Sequence, residues 1–430
     1  MKTKYIIAAT ALVISACAHA EVWTLDSCIN YALKHNLTVK ARRLEIQSGE
    51  LDVTAAKDRF LPQISAGASQ SFSYGRGLTS DNTYTNRNTS NFGWNVGLSL
   101  PLFQGLSAIR QTDYAKANLR ALVEELEAAK DDITLNVISA YLQVLYAGEM
   151  CNVANEQLQL SLVEEKRRES LLEEGKIPEL DLTDAKAQVA QNRTSVVNAE
   201  NNRTLALVDL AQLLELPDIE GFDVAPIEDD GLTLYSAEDV YKRALHSNHS
   251  MIAGRRHIEA ADRNISLARS SYLPKLSFNA GIGSNFYTVS GIDSESFGQQ
   301  MRNNFNKSLG FTLSIPIFDA FSSRNSVRRA KIQKLNAQLE YQNRERGLYK
   351  NIQQAYYQAQ GASEKLRAAE ASEVATREAF EAMKQKYDFG KANSTEYETA
   401  RSNYVRAMAE AVQAKYESIL RRRILAFYNK

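Results

Sequence analysis

Leu98-Ser99-Leu100-Pro101-Leu102-Phe103 is written again as Leu313-Ser314-Ile315-Pro316-Ile317-Phe318, and the flanking sequence repeats with the two hexamers. Upstream, Thr24-Leu25-Asp26 through Phe60-Leu61-Pro62 aligns without a gap with Ser236-Ala237-Glu238 through Tyr272-Leu273-Pro274. Ala32-Leu33 and Asn36 fall on Ala244-Leu245 and Asn248, and downstream Gly175 falls on Gly390. So long a period is not a short solenoid repeat. It predicts two structurally equivalent halves, 21–216 and 236–430. The linker at 217–235 carries Pro217, Pro226 and the acidic run Glu228-Asp229-Asp230, and is expected to form an equatorial belt.

Within each half, two short segments alternate with the period of a strand. Ile64, Ala66, Ala68, Phe72 and Tyr74 oppose Ser65, Gly67, Ser69, Ser71 and Ser73; Phe92, Trp94, Val96, Leu98 and Leu100 oppose Gly93, Asn95, Gly97 and Ser99. Leu276, Phe278, Ala280 and Ile282 oppose Ser277, Asn279, Gly281 and Gly283; Leu309, Phe311, Leu313 and Ile315 oppose Ser308, Gly310, Thr312 and Ser314. These are hairpins within 61–103 and 273–318, each with a polar loop (Gly75 to Ser90, with Asp81; Ser290 to Asn306, with Asp293 and Glu295). Alternation alone fits a soluble sheet as well as a membrane strand. The small, uncharged polar rows suit a water-filled lumen, and a length of about ten residues crosses a bilayer at a tilt.

Helices fill the rest. About Ser107 to Glu174 and about Phe321 to Phe389 run almost unbroken, each roughly 100 Å at 1.5 Å per residue. The first carries Leu119, Leu122, Leu126, Ala129, Ile133, Val137, Ala140, Val144, Ala147, Cys151 and Ala154 at coiled-coil spacing. Each long helix ends at a glycine, Gly175 or Gly390, and a return helix follows at about Glu179–Leu214 or Thr395–Phe427. Shorter helices, about Thr38–Arg59 and Ser250–Ser271, precede the first strand of each half and match the length that a return helix lacks.

Composition and address narrow the function. Fifty-one basic side chains balance 51 acidic ones over 430 residues, which gives no basic stripe for a nucleic acid. Lys2, Lys4, the apolar run Ile6 to Ala16 and Ala18-His19-Ala20 form a signal peptide over 1–20. Ile14-Ser15-Ala16-Cys17 also fits a lipoprotein box, which would leave a lipidated Cys17. No other apolar run approaches the ~20 residues of a transmembrane helix, so any membrane crossing falls to the strands. Cys28 and Cys151 read as unpaired, partly buried thiols. His246-Ser247-Asn248-His249 and His257-Ile258-Glu259 lack a third ligand at useful spacing and read as exposed helix surface. No nucleophile motif or phosphate loop is present, and neither an enzyme nor a cofactor is expected. Glu164-Glu165-Lys166-Arg167-Arg168-Glu169 reads as a solvated helix side.

Signal peptide, hairpins, long helix, glycine turn and half-length return helix, all duplicated, resemble the TolC-type outer-membrane efflux family over essentially the whole mature chain. The marks are Trp23-Thr24-Leu25 leading to Ala32-Leu33, the two Leu-Pro strand entries, the two Pro-Leu/Ile-Phe exits and the two glycine turns. The resemblance implies an α+β membrane protein, a homotrimeric channel-tunnel. Its four strands per chain would join a shared 12-stranded barrel amid outer-membrane lipid, with coiled-coil helices continuing as a tunnel into the periplasm. Four strands alone do not choose three copies, since two would give eight. It further implies a passive exit duct for small molecules or proteins in a tripartite efflux pump or type I secretion system. The partners would be a periplasmic adaptor (membrane fusion) protein and an inner-membrane transporter of RND, ABC or MFS type.

The resemblance also implies a periplasmic gate at the helix ends, with acidic side chains ringing the tunnel axis after the glycine turns. Here these are Asp181 and Asp184, and Glu396 in the second half. Thr399 stands at the equivalent of Asp184, and Ala392 where the family has a basic residue. Tyr387 matches a family tyrosine that hydrogen-bonds to the first half's acid, here Asp181. Gly175-Lys176 and Gly390-Lys391 are the expected adaptor contacts. Without the family, Asp181 and Asp184 read rather as first-turn acids that complement a helix dipole. A periplasmic coiled-coil scaffold or adhesin without a pore is the alternative, and it leaves the two apolar-faced hairpins without a role.

Overall fold

The computed structural model describes residues 21–78, 82–227 and 235–429. The leader at 1–20 with both its processing readings, Asp81, and the acidic run Glu228-Asp229-Asp230 lie outside the described residues. In chain order the first half forms β1 (Glu21–Trp23), α1 (Leu25–His35), α2 (Leu37–Asp58), β2 (Gln63–Ser73), β3 (Arg76–Leu78), β4 (Tyr84–Asn86), β5 (Thr89–Gln104), α3 (Ser107–Glu173) and α4 (Glu179–Leu214). Then follow β6 (Phe222–Val224), α5 (Ala237–Ser247), α6 (His249–Arg269), β7 (Lys275–Val289), α7 (Phe297–Asn303), β8 (Asn306–Ser314), α8 (Ser322–Asp388) and α9 (Ser394–Tyr428). Both long helices have 67 residues.

By internal contacts the chain divides into two compact units: Met1–Ala41, Leu126–Asn248 and Arg346–Lys430 in one, Arg42–Glu125 and His249–Glu345 in the other. Each unit therefore draws on both sequence halves, and α3 and α8 contribute to both.

The strand-bearing unit holds a four-stranded antiparallel sheet in the order β2-β5-β7-β8. Ile64 lies opposite Leu98 and Ala68 opposite Trp94; Leu98 faces Ala280, and Phe278 faces Phe311. One face therefore collects the apolar rows, because side chains in register share a face. The other collects Ser, Gly and Asn, and crowding requires glycine at 283 and makes 281 tight. A Cβ on Gly283 would meet the Trp94 carbonyl at 2.8 Å, and one on Gly281 the Ser308 hydroxyl at 3.0 Å. The β5–β7 register slips between Pro101 and Phe103, where proline has no N–H for the ladder. Beside the sheet, Val53 and Ala56 of α2 pack with Ala115 and Leu119 of α3.

The second polar loop is not irregular, as its composition suggests, but contains α7. Phe297, Met301 and Phe305 recur every four residues and give that segment an apolar side. The Phe297 ring lies 5.7 Å from that of Phe92 and 5.1 Å from that of Phe286, and Phe305 lies 6.3 Å from Trp94. α7 thus covers part of the sheet's apolar face.

In the other unit, Thr24 caps α1 and Ser236 caps α5 by accepting from Ser27 N and Asp239 N. The described part of the linker supplies β6, which pairs parallel with β1. Tyr141, fully buried on α3, reaches the carbonyls of Trp23 (2.9 Å) and Ala225 (2.7 Å) and fixes this small sheet. Val137, Val144, Ala147, Cys151 and Ala154 of the expected stripe are buried, as are Ile352, Ala355, Ala359 and Ala362 of α8. Cys28 and Cys151 are both unpaired and buried; burial pushes the Cys28 thiol up to about 12.

Candidate functional site at the helix ends

Both long helices stop in the same turn. Lys176 N donates to Leu171 O and Gly175 N to Leu172 O, both at 2.8 Å; Lys391 N donates to Lys386 O (2.8 Å) and Gly390 N to Tyr387 O (3.0 Å). This pair of bonds needs a left-handed residue, supplied by Gly175 (φ 71) and Gly390 (φ 69). Nothing lies within 4 Å of a Cβ built on either glycine, so the backbone angle alone demands them. Lys176 and Lys391 are exposed.

The return helices start differently. Pro178 opens α4 with no side-chain cap, whereas Asn393 and Glu396 form a capping box on α9. Glu396 N donates to Asn393 Oδ1 (2.8 Å), and Asn393 N donates to Glu396 Oε2 (3.0 Å). The Glu396 carboxylate is thus engaged by its own helix start. Asp184 and Thr399 are exposed, and Asp181 is half-buried.

Tyr387 does not bond to Asp181. Its hydroxyl donates to Glu164 Oε1 at 2.7 Å, across from α8 to α3. Asp181 instead offers only its backbone carbonyl, to Arg168 Nη1 at 3.1 Å. The run from Glu164 to Glu169 is correspondingly not a uniformly solvated side. Glu164 is 4% exposed and Arg168 7%, because their i,i+4 spacing turns both toward α8 and α9, while Lys166 and Glu169 stay outside.

Arg168 is the hub. Its Nε donates to Glu164 (2.8 Å), Nη2 donates to Ser394 Oγ (2.6 Å), and Nη2 lies 3.6 Å from Glu398 Oε1. The other Glu398 oxygen pairs with buried Arg401 at 2.5 Å. Arg167 binds Asp388 (2.7 Å) and the Tyr387 carbonyl (3.1 Å), and its guanidinium carbon sits 4.1 Å from the Tyr387 ring centroid. Behind the charges Tyr387 stacks on Tyr397 at 4.6 Å, beside buried Phe380 and Tyr404. Burial pushes the Tyr397 phenol up to about 12 and raises Glu398 against the lowering pull of Arg401 and Arg168. Burial and the bond to Glu164 raise Tyr387.

These bonds tie α3, α4, α8 and α9 together through charges withdrawn from water. Removing one partner of such a pair strands the other at about 3–5 kcal/mol, so the arrangement is assembled or broken with little between. Glu164, Arg168, Glu398 and Arg401 were not singled out by sequence. Two i,i+3 or i,i+4 ion pairs beside Tyr387, Tyr397 and Tyr404 are the signal that was there to read.

His246 is exposed as expected, but His249 and His257 are half-buried. His249 Nδ1 lies 3.1 Å from Glu124 and His257 Nε2 2.7 Å from Glu125, where α6 runs beside α3. Among the described residues no group of three or more His, Cys, Asp or Glu could hold a metal ion, and no helix is long and apolar enough to cross a membrane.

Comparison with known proteins gives a consistent result. The family model "Outer membrane efflux protein" matches residues 28–215 and again 240–426. The probable outer membrane lipoprotein SilC of Salmonella typhimurium is 25% identical over 75% of this chain and 68% of its own length. The outer membrane protein TolC of Vibrio cholerae is 24% identical over 86% of this chain and 82% of its own. Among solved structures, the Campylobacter jejuni CmeC outer membrane channel superposes with a TM-score of 0.76 at 19% identity, covering 94% of this chain and 85% of that one.

Proposed function

Because the chain belongs to the outer membrane efflux protein family, whose members are transport channels, we propose that it is a passive outer-membrane exit duct gated at its helix ends. The observation that carries this reading is the sheet. It has one exposed apolar face, and β2 and β8 are each left with an unpaired edge. An edge of that length invites another strand, and copies of the same chain supply it. Three copies would pool twelve strands into a closed barrel with the apolar rows toward lipid and the Ser/Gly/Asn rows toward water. The two halves then act as structural repeats of one wall. The helices serve as the periplasmic conduit, with an adaptor docking at the exposed turns Gly175-Lys176 and Gly390-Lys391 and an inner-membrane transporter supplying the energy.

The gate is the Arg168 network. Tyr387 and Glu164 bridge the two halves, and opening must break their bond and Arg168's grip on the starts of α4 and α9. Glu396, in its capping box, shapes the start of α9, and Asp181 and Asp184 contribute negative charge at the start of α4. Glu164→Gln combined with Tyr387→Phe should raise the resting conductance of protein inserted in planar bilayers severalfold. An unchanged closed-state conductance would remove the gate assignment. A coiled-coil scaffold without a pore accounts for the helices but leaves the apolar sheet face exposed to water.

A further inference from the structure

We propose that Lys307 and Arg302 seat the phosphate of a phosphorylated lipid at the loop end of β8, on the sheet's apolar face. The inference rests on the reading that this face meets lipid. It begins with an anomaly of charge. The four long strands carry no acidic side chain and only two basic ones. Lys275 sits at the end that leads from α6, in the polar row with Ser277 and Asn279. Lys307 sits at the other end of β8, where that strand leaves the loop, and in the apolar row. It lies opposite Ile282 in register and shares its row with Leu309, Phe311 and Leu313.

A lysine in a lipid-facing row is costly at hydrocarbon depth and is tolerated where its stem can carry the ammonium to the headgroups. The surroundings set that depth. Lys307 Nζ lies 5.7 Å from the Phe305 ring centroid, and Phe305 sits against Trp94. Phe92, Phe286 and Phe297 complete an aromatic band on the same face, and such bands settle at the interface between acyl chains and headgroups.

α7 holds this band in place. Ser284 Oγ donates to the Met301 carbonyl at 2.8 Å. The Gln300 carboxamide accepts from Tyr287 N (2.9 Å) and donates to the carbonyls of Tyr287 and Glu295 (both 3.0 Å). Arg302 rides exposed on this docked helix, three residues before Phe305. Glu295 of the same loop is occupied by Asn303 Nδ2 at 2.9 Å. Two cations without acidic strand neighbours, above an apolar face and beside an aromatic band, match an acylated molecule with an anionic head.

The test uses full-length protein in nanodiscs, loaded with bis-phosphorylated lipid A or with its dephosphorylated form, and reads retained lipid by native mass spectrometry. Wild type should retain the phosphorylated lipid preferentially. Lys307→Gln with Arg302→Gln should reduce that preference on the order of fivefold per cation removed, and Lys307→Arg should keep it. Equal retention of both lipids by wild type, or an undiminished preference in the double variant, overturns the proposal. So does displacement of the lipid by millimolar inorganic phosphate, which would make the seat one for free phosphate. Insertion of the double variant, checked by its heat-modifiable band in electrophoresis, separates loss of the seat from loss of folding. Failure of wild type itself to insert would instead sink the duct reading.

Discussion

Gly105 and Ala320 occupy corresponding positions in the two strand-to-helix junctions, and both hold left-handed backbone angles (φ 60 and 51). Leu106 and Phe321 follow at φ 62 and 63, where a bulky residue is a costly outlier. The two junctions differ in space. A Cβ on Gly105 would come within 2.9 Å of both Leu273 Cβ and the Ser270 carbonyl, whereas the second half already accommodates alanine. Gly105→Ala should therefore lower the thermal unfolding midpoint, and Ala320→Gly should leave it unchanged or raise it by the equivalent of about 1 kcal/mol. Equal and opposite shifts would contradict this account. The alignment of the two halves paired these positions, but neither leucine nor phenylalanine announces a positive φ.

At the scale of elements, the helices were legible nearly to the residue. Heptad spacing and the turn glycines placed the ends of α3, α4 and α8, and α4 begins and ends where it was expected. The network that joins their ends was not legible. Arg168→Met should strand Glu164 and loosen the ends of α3 and α9, seen as faster amide exchange, at a cost of about 3–5 kcal/mol. Glu164→Leu combined with Arg168→Met should recover much of that order. pH acts through Glu398, whose carboxyl burial raises above its ordinary value. A raised acid contributes its full stabilisation below its unfolded value and loses it as pH rises through the folded one. Acidification from neutral toward the ordinary glutamate range should thus slow exchange at the start of α9. Glu398→Gln should remove that component, and an identical pH profile in the variant would show that the group is not responsible.

At the scale of the whole molecule, alternation along the strands becomes a statement about solvent. Leu309 is 80% exposed in the single chain, and its neighbour Ser308 lies in the opposite row. Leu309→Arg should cost about 1–2 kcal/mol of membrane insertion and deplete the protein from the outer-membrane fraction. Ser308→Arg should insert normally and change only ion flow. The unmodified protein should need detergent for extraction and run as an oligomer until boiled. Release by carbonate alone would favour the scaffold reading.

By itself the sequence determined what is periodic or local: the alternating strands, the 3,4-spaced helices, the glycine turns and the membership that follows from their order. Only the tertiary structure decided that Tyr387 meets Glu164, 223 residues away in the chain, that Arg168 is buried, and that α7 lies on the sheet's apolar face. Periodicity reports which side of an element is apolar. Which polar group meets which depends on how helices distant in sequence settle against one another, and a shift of α3 by one turn would have brought Ser161 or Arg168 to Tyr387 in place of Glu164.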